Sequence, residues 1–362
     1  MKNNEKRMVW EYEWVRIIAT VLVVIGHSAY LCGPGGNNYH IPDTIDSAYY
    51  SGVLLFVRKM SGWVYGFHMP CFFMLSGAVL ALKPLKKFDE VIFSKIYRLI
   101  VPYLAVGLLY MLPLKWFANY YSDETIKTAV MGFLRGQESS HLWFLPALFW
   151  CILICVLILK ILEKSNVQSD FLFLLTAGIV QIIYNQIPSD ILILRRGCNE
   201  GYIFWFAFGY VFEHVRRKNM NGKKYISPVV CFILMTMVEY IQWKWEIFDS
   251  FAKILVGALW IWYFALVMVK ICERYEWNNC LILQVLHRNL FYIYLFHDPL
   301  NYCLLRLFFG GGLLEKNSVM VYLYLFCRTI GVILVAIFIG ELLERMKKRW
   351  RKINEYKMSE LD

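Results

Sequence analysis

Long apolar runs alternate along the chain with short clusters of charged residues. Ten stretches are apolar enough to be helices in a bilayer: roughly 12–31, 62–82, 98–117, 142–161, 170–187, 200–214, 226–243, 250–270, 288–308 and 319–343. A bilayer-crossing helix needs about 20 mostly apolar residues. The pattern therefore predicts an all-α, polytopic integral membrane bundle of about ten transmembrane helices, the sixth of them short. The longest interval, 32–61, opens with the turn-rich run Cys32-Gly33-Pro34-Gly35-Gly36-Asn37-Asn38. The stretch Tyr49 to Met60 after it is apolar enough to lie on the membrane or lead into the second span. No segment is left over for a soluble domain, so 1–362 reads as one membrane domain ending in a short basic tail, 345–362.

Composition agrees. Of 362 residues 59% are hydrophobic and 18% charged, against about 25% charged in an ordinary soluble domain. A soluble globule cannot hide that much apolar surface, and a disordered chain, a fibrous repeat and a small disulfide scaffold are excluded with it. The formal net charge is +11. With the N-terminus placed in the cytoplasm, inner segments carry 24 of the 38 Lys and Arg and outer segments 10. Four lie within spans: Arg16, Lys253, Arg288 and Arg328. That inner excess is what the positive-inside rule expects. It predicts a multi-pass protein of the inner (plasma) membrane with both termini cytoplasmic. The basic balance then reflects topology and contact with anionic lipid. No motif supports nucleic-acid binding. The ten cysteines are scattered, with no Cys-x-x-Cys, so there is no metal or redox signature. The first span contains acids and an arginine, unlike a cleavable signal peptide.

Ionisable groups are costly inside a membrane, so each is a candidate for function. Arg16 and His27 are eleven positions apart in the first span. At about 100° per residue they face the same way, about 16 Å apart along the helix. Glu13, one turn before Arg16, can pair with it. Two readings stand: Arg16 snorkels while His27 bonds a neighbouring helix, or the pair shares a site. The second span carries His68 beside Pro70, then Ser76-Gly77, small enough for a backbone or ligand to come close. Lys95 and Arg98 lie one turn apart near the inner end of the third span. They suit a phosphate-bearing ligand or simple positive-inside anchoring. His141 and Trp143 open the fourth span at the outer interface, where aromatics also sit for structural reasons. In the ninth span His297 and Asp298 are adjacent, but helical neighbours point about 100° apart.

Together these segments resemble the membrane-bound acyltransferase-3 family, in the branch that contains sugar O-acetylases. The resemblance rests on Arg16 and His27 with ten residues between, the preceding Glu13, and the run Phe72-Phe73-Met74-Leu75-Ser76-Gly77. It rests also on Phe67-His68-Met69-Pro70, His141-Leu142-Trp143-Phe144-Leu145, and Tyr294-Leu295-Phe296-His297, in that order over nearly the whole chain. One departure concerns the inner basic motif. Relatives carry Arg-x-x-Arg, and Lys95 here keeps the charge of the first Arg but loses its bidentate fork.

The resemblance implies transfer of an acyl group, usually acetyl, from cytoplasmic acyl-CoA to a hydroxyl of a cell-envelope glycan or lipid-linked sugar. Acetyl-CoA is then a co-substrate, and no bound cofactor or metal is expected. It further implies His27 as base, Arg16 with Glu13 orienting the site or the anionic donor, and Lys95 and Arg98 at the donor's phosphates. His68, His141 and Trp143 would face the acceptor, with Ser76, Gly77 and His297 in support. A neutral imidazole suits proton removal from an alcohol near pH 7, and both direct transfer and an acyl-histidine intermediate fit these residues. The rival expectation is a transporter of lipid-linked saccharides. Many transporters show inverted repeats, and none is evident in this chain.

Overall fold

The computed structural model of the chain describes residues 10–30, 61–121, 125–166, 169–186, 202–218, 228–245, 250–275, 280–310 and 318–359. The runs Cys32 to Asn38 and Tyr49 to Met60 lie outside the described residues. Those described are helical, with short turns and no β-strand among them. The helices are α1 (Trp10–Tyr30), α2 (His68–Ala81), α3 (Phe88–Phe117), α4 (Ile126–Leu134), α5 (Phe144–Lys164) and α6 (Asp170–Gln186). They continue as α7 (Tyr202–Lys218), α8 (Pro228–Trp245), α9 (Ser250–Arg274), α10 (Leu281–Gly310), α11 (Ser318–Phe326) and α12 (Val332–Ser359). Five stretches among the described residues are long and apolar enough to cross a membrane: Ser61–Ala81, Phe88–Phe117, Ser140–Lys164, Lys253–Arg274 and Val319–Trp350.

Helix ends differ from the apolar stretches for a simple reason. Hydropathy marks where a helix is apolar, while Glu, Lys and Arg prolong a helix well beyond that point. So α3 begins at Phe88 with Asp89 and Glu90 in its first turn, a favourable place for acids against the helix dipole. At the other end of the chain α12 runs on to Ser359, through the whole basic run Arg345 to Lys357.

Long apolar helices that contain proline need a local remedy, because proline removes a donor and its ring crowds the carbonyl four residues back. In α3 two π-turns, Ile96–Ile100 and Gly107–Met111, precede Pro102 and Pro113. A π-turn lets carbonyls bond one residue further on, as Val101 N–H does to the Ile96 carbonyl. A third π-turn, Cys327–Gly331, joins α11 to α12.

The fold divides into two compact units, Met1–Ala19 with Gly62–Val269 and Thr20–Ser61 with Lys270–Asp362. In the first unit α2 and α7 lie backbone to backbone. A Cβ on Gly77 would fall 1.9 Å from the Phe206 carbonyl oxygen, and one on Gly209 would fall 1.9 Å from that of Met74. Such small-residue contacts replace the hydrophobic effect as the packing device between helices in lipid. Near them a polar knot ties α1 to α7. The Tyr12 hydroxyl donates to the fully buried Glu213. Arg216 forks onto Glu213 (Nε–Oε2 2.6 Å, Nη2–Oε1 3.0 Å) and reaches Glu11 (3.1 Å).

In the second unit α10 packs along α12. Gly340 admits Asn289 and Tyr292, which a Cβ there would meet at 2.5 and 2.7 Å. Asn289 Nδ2 donates to Glu341 (2.7 Å), Arg288 also pairs with Glu341, and the Tyr292 hydroxyl donates to Glu344 (2.6 Å).

Candidate active site

The second unit gathers polar side chains that are far apart in sequence. His27 stands in the last turn of α1. From α10, interrupted by Pro299, come His297, Asp298 and Asn301, all essentially inaccessible to solvent. Tyr324 comes from α11, and Arg328 from the π-turn that follows it. Both are fully buried.

His27 Nδ1 lies 3.0 Å from Asp298 Oδ1, and the His27 ring meets that of His297 edge-on at 5.0 Å. Arg328 forms a three-way clamp. Its Nη2 donates to the His27 main-chain carbonyl (3.1 Å), its Nη1 to the Tyr324 hydroxyl (2.7 Å) and its Nε to Asn301 Oδ1 (3.3 Å). The carbonyls of a last helical turn lack partners within the helix. Arg328 answers one of them and brings positive charge to the negative end of the helix dipole. Ser61 Oγ donates to the preceding carbonyl, that of Gly26 (2.9 Å).

These contacts fix the chemistry of the imidazole. An ionised carboxylate only accepts hydrogen bonds. With Asp298 ionised and the ring neutral, the contact places a hydrogen on Nδ1 of His27 and makes Nε2 the basic nitrogen. The same logic applies to His297, whose Nδ1 sits 3.0 and 2.9 Å from the Ile293 and Tyr294 carbonyls. A histidine oriented by a carboxylate at one nitrogen and basic at the other is the arrangement that general-base catalysis uses. Buried charges require compensation. Arg328 supplies a positive charge at the same cluster as Asp298.

The remaining sequence-predicted residues lie in the first unit. Glu13 accepts two bonds from Arg16 Nη1, at 3.2 and 2.9 Å, with Glu13 largely covered and Arg16 partly exposed. Arg16 and His27 both belong to α1, which runs unbroken from Trp10 to Tyr30, so the helix on which their one-face spacing depends is present. Lys95 closes the first part of α3 and Arg98 follows within the π-turn, Lys95 partly covered and Arg98 exposed. His68 is buried, its Nδ1 2.8 Å from the Val64 carbonyl. Ser76 Oγ donates to the Phe72 carbonyl of its own helix (2.8 Å), and Gly77 serves the α2–α7 contact. His141 is buried in the 3₁₀ turn Ser140–Trp143 that precedes α5. Trp143 lies against Tyr202, with ring centres 5.5 Å apart.

Four members of the second-unit cluster were not among the sequence-predicted site residues: Asp298, Asn301, Tyr324 and Arg328. Two signals were available. Asp298 and Arg328 are charges inside apolar stretches, the rule that singled out Arg16. Asn301 and Tyr324 carry no such mark, and only the fold brings them to His27.

The family model described as an acyltransferase domain, that of the acyltransferase-3 family, matches residues 9–341. Neither the curated proteins nor the solved structures give a match. The matched residues take in α1 to α11 and the first part of α12, and with them every member of the His27 cluster. The chain is therefore a membrane acyltransferase that belongs to the acyltransferase-3 family.

Proposed function

We propose that the protein is an O-acetyltransferase that moves acetyl from cytoplasmic acetyl-CoA to a hydroxyl of a cell-envelope glycan or lipid-linked sugar. The observation that carries this reading is the His27–Asp298 pair, a part-buried imidazole held at Nδ1 by a buried carboxylate. In the reaction Nε2 of His27 removes the proton of the acceptor hydroxyl as its oxygen attacks the thioester carbon. Asp298 holds the imidazole in the required tautomer and stabilises the imidazolium that forms. The proton then passes from His27 to the departing thiolate, so acyl-CoA and alcohol become ester and free thiol.

Arg16, with its fork braced by Glu13, orients the anionic donor. Lys95 and Arg98 meet donor phosphates, for which two cations one turn apart on a helix are suited. His68, His141 and Trp143 contact the acceptor, and an aromatic beside polar donors is apt for a sugar ring. His297 supports the His27 ring from its edge. In this reading the chain is one catalytic domain with ten membrane crossings, in the plasma membrane of a bacterium, and both termini face the cytoplasm. Membrane lipid surrounds it.

The test uses the full chain purified into lipid nanodiscs. Thiol release from acetyl-CoA is followed with and without an envelope-glycan extract, and the glycan is analysed by mass spectrometry for added acetyl. Parent protein transfers acetyl and His27→Ala does not. Full activity of a correctly inserted His27→Ala protein overturns the assignment.

A further inference from the structure

Asn301 carries a buried side-chain donor with no partner. Its Nδ2 makes no hydrogen bond among the described residues, although the residue is wholly inaccessible. Buried polar groups without partners are rare in folded proteins, and each calls for a reason. The other end of the same amide is held, because Oδ1 accepts from Arg328 Nε at 3.3 Å. Arginine only donates, so the clamp settles which end of the amide faces it and leaves the N–H₂ end directed elsewhere.

The position of Asn301 on α10 is equally specific. It follows His297 by four residues and Asp298 by three. At about 100° per residue its direction falls between theirs, about 40° from His297 and about 60° from Asp298, one turn further along. Both of those residues touch the His27 ring. The unmatched donor thus lies on the face of α10 that faces the base.

Acyl transfer places a demand at such a point. When the hydroxyl oxygen bonds to the thioester carbon, the carbonyl π electrons move to the carbonyl oxygen and make it an oxyanion. That charge returns to the carbonyl when the carbon–sulfur bond breaks. A fixed N–H donor in a dry site stabilises the charge as it develops. We propose that Asn301 is a further catalytic residue, whose Nδ2–H donates to the acyl oxyanion. Arg328 is the positioning residue that holds its amide in place. This assignment rests on the proposed acyl transfer at His27.

The experiment compares the parent chain with Asn301→Ala, Asn301→Asp, Asn301→Gln, Arg328→Lys and His27→Ala, each in nanodiscs with acetyl-CoA as donor and the envelope-glycan extract as acceptor. Three quantities are read: kcat for thiol release, the dissociation constant for acetyl-CoA, and the melting temperature. Asn301→Ala and Asn301→Asp lower kcat by about 10²- to 10³-fold, the loss typical of one oxyanion donor, while acetyl-CoA affinity stays within about threefold. Asn301→Asp is close to isosteric and replaces the N–H₂ donor by a carboxylate oxygen beside Arg328, so it carries the test if the alanine variant does not fold. Asn301→Gln restores part of the rate because it retains an N–H donor. Arg328→Lys lowers kcat, and combining it with Asn301→Ala costs less than the product of the two single losses, since the two share the Arg328–Asn301 interaction. If the parent is active, His27→Ala is dead and Asn301→Asp runs within threefold of the parent, the assignment of Asn301 falls alone. If the parent releases no more thiol than His27→Ala, the acyl-transfer reading of His27 falls and this assignment with it.

Discussion

Asp298 Oδ1 lies 3.0 Å from His27 Nδ1, although 271 positions separate the two residues. The contact makes a late helix the source of the group that orients a base in the first one. Asp298→Asn keeps the shape but offers the imidazole an amide, which can present its N–H₂ end and stabilise the wrong tautomer. The expected result is a kcat lowered by about 10²- to 10⁴-fold with acetyl-CoA binding retained, measured by thiol release and by titration of the same preparations. A rate equal to the parent's would remove Asp298 from the mechanism.

The knot of Tyr12, Glu213 and Arg216 predicts a stability effect. Glu213 is completely buried and accepts from both partners. Removing Glu213 takes the acceptor from the Tyr12 hydroxyl and from the Arg216 fork, which keeps only Glu11, at a cost of about 1–3 kcal/mol. Glu213→Ala should therefore lower the melting temperature sharply, and replacing Glu213 and Arg216 together by leucine should recover much of the loss. Thermal unfolding of the detergent-solubilised variants gives the comparison, and an unchanged Glu213→Ala transition would contradict it.

Arg288 predicts the opposite. It lies in an apolar stretch, as Arg328 does, yet its side chain is 53% exposed where it meets Glu341. Exposed pairs contribute about 0–1 kcal/mol. Arg288→Ala should leave stability nearly unchanged in the same assay, whereas Arg328→Ala lowers it because an internal clamp is lost. Equal effects from the two would mean that burial does not separate them.

Ser76 and Gly77 are neighbours with separate expected roles. Ser76→Ala removes a bond to its own helix and should be near neutral for folding. Gly77→Val drives a side chain into the Phe206 carbonyl, and overpacking of this kind costs about 1–3 kcal/mol or more. Expression and melting of the two variants distinguish them. A fully folded Ser76→Ala protein that lost activity would show that Ser76 touches substrate.

The sequence made some of this visible. Arg16, His27 and Glu13 could be related because one helix relates them, and helical spacing is a local property. The all-helical fold was equally plain from apolar runs of bilayer length. Asp298 and Arg328 were visible only as costly charges, since nothing local says which helix they meet. Asn301 gave no signal, because an asparagine in an apolar helix can bond its own backbone as readily as face a site. Gly77 announced a close approach but not Phe206 as its object. The helix ends were hidden for another reason. Apolar character ends near residue 343, yet α12 continues to Ser359 because its charged residues are good helix formers.

The π-turn at Cys327–Gly331 has a consequence for length variation. It fits one residue more into a turn than an α-helix does. A single-residue deletion within it is absorbed by reversion to an ordinary α-turn, which completes the same turn with one residue fewer. The helix stays unbroken, and the residues on its two sides keep nearly their angular relation, so Gly340 and Glu341 still face α10. Between Val332 and Gly340 the helix has no such slack. A deletion there turns everything beyond it by about 100° and takes the α10–α12 ladder out of phase with the clamp. Two deletions a few residues apart should thus have unrelated effects, because only the first has a surplus residue to give up.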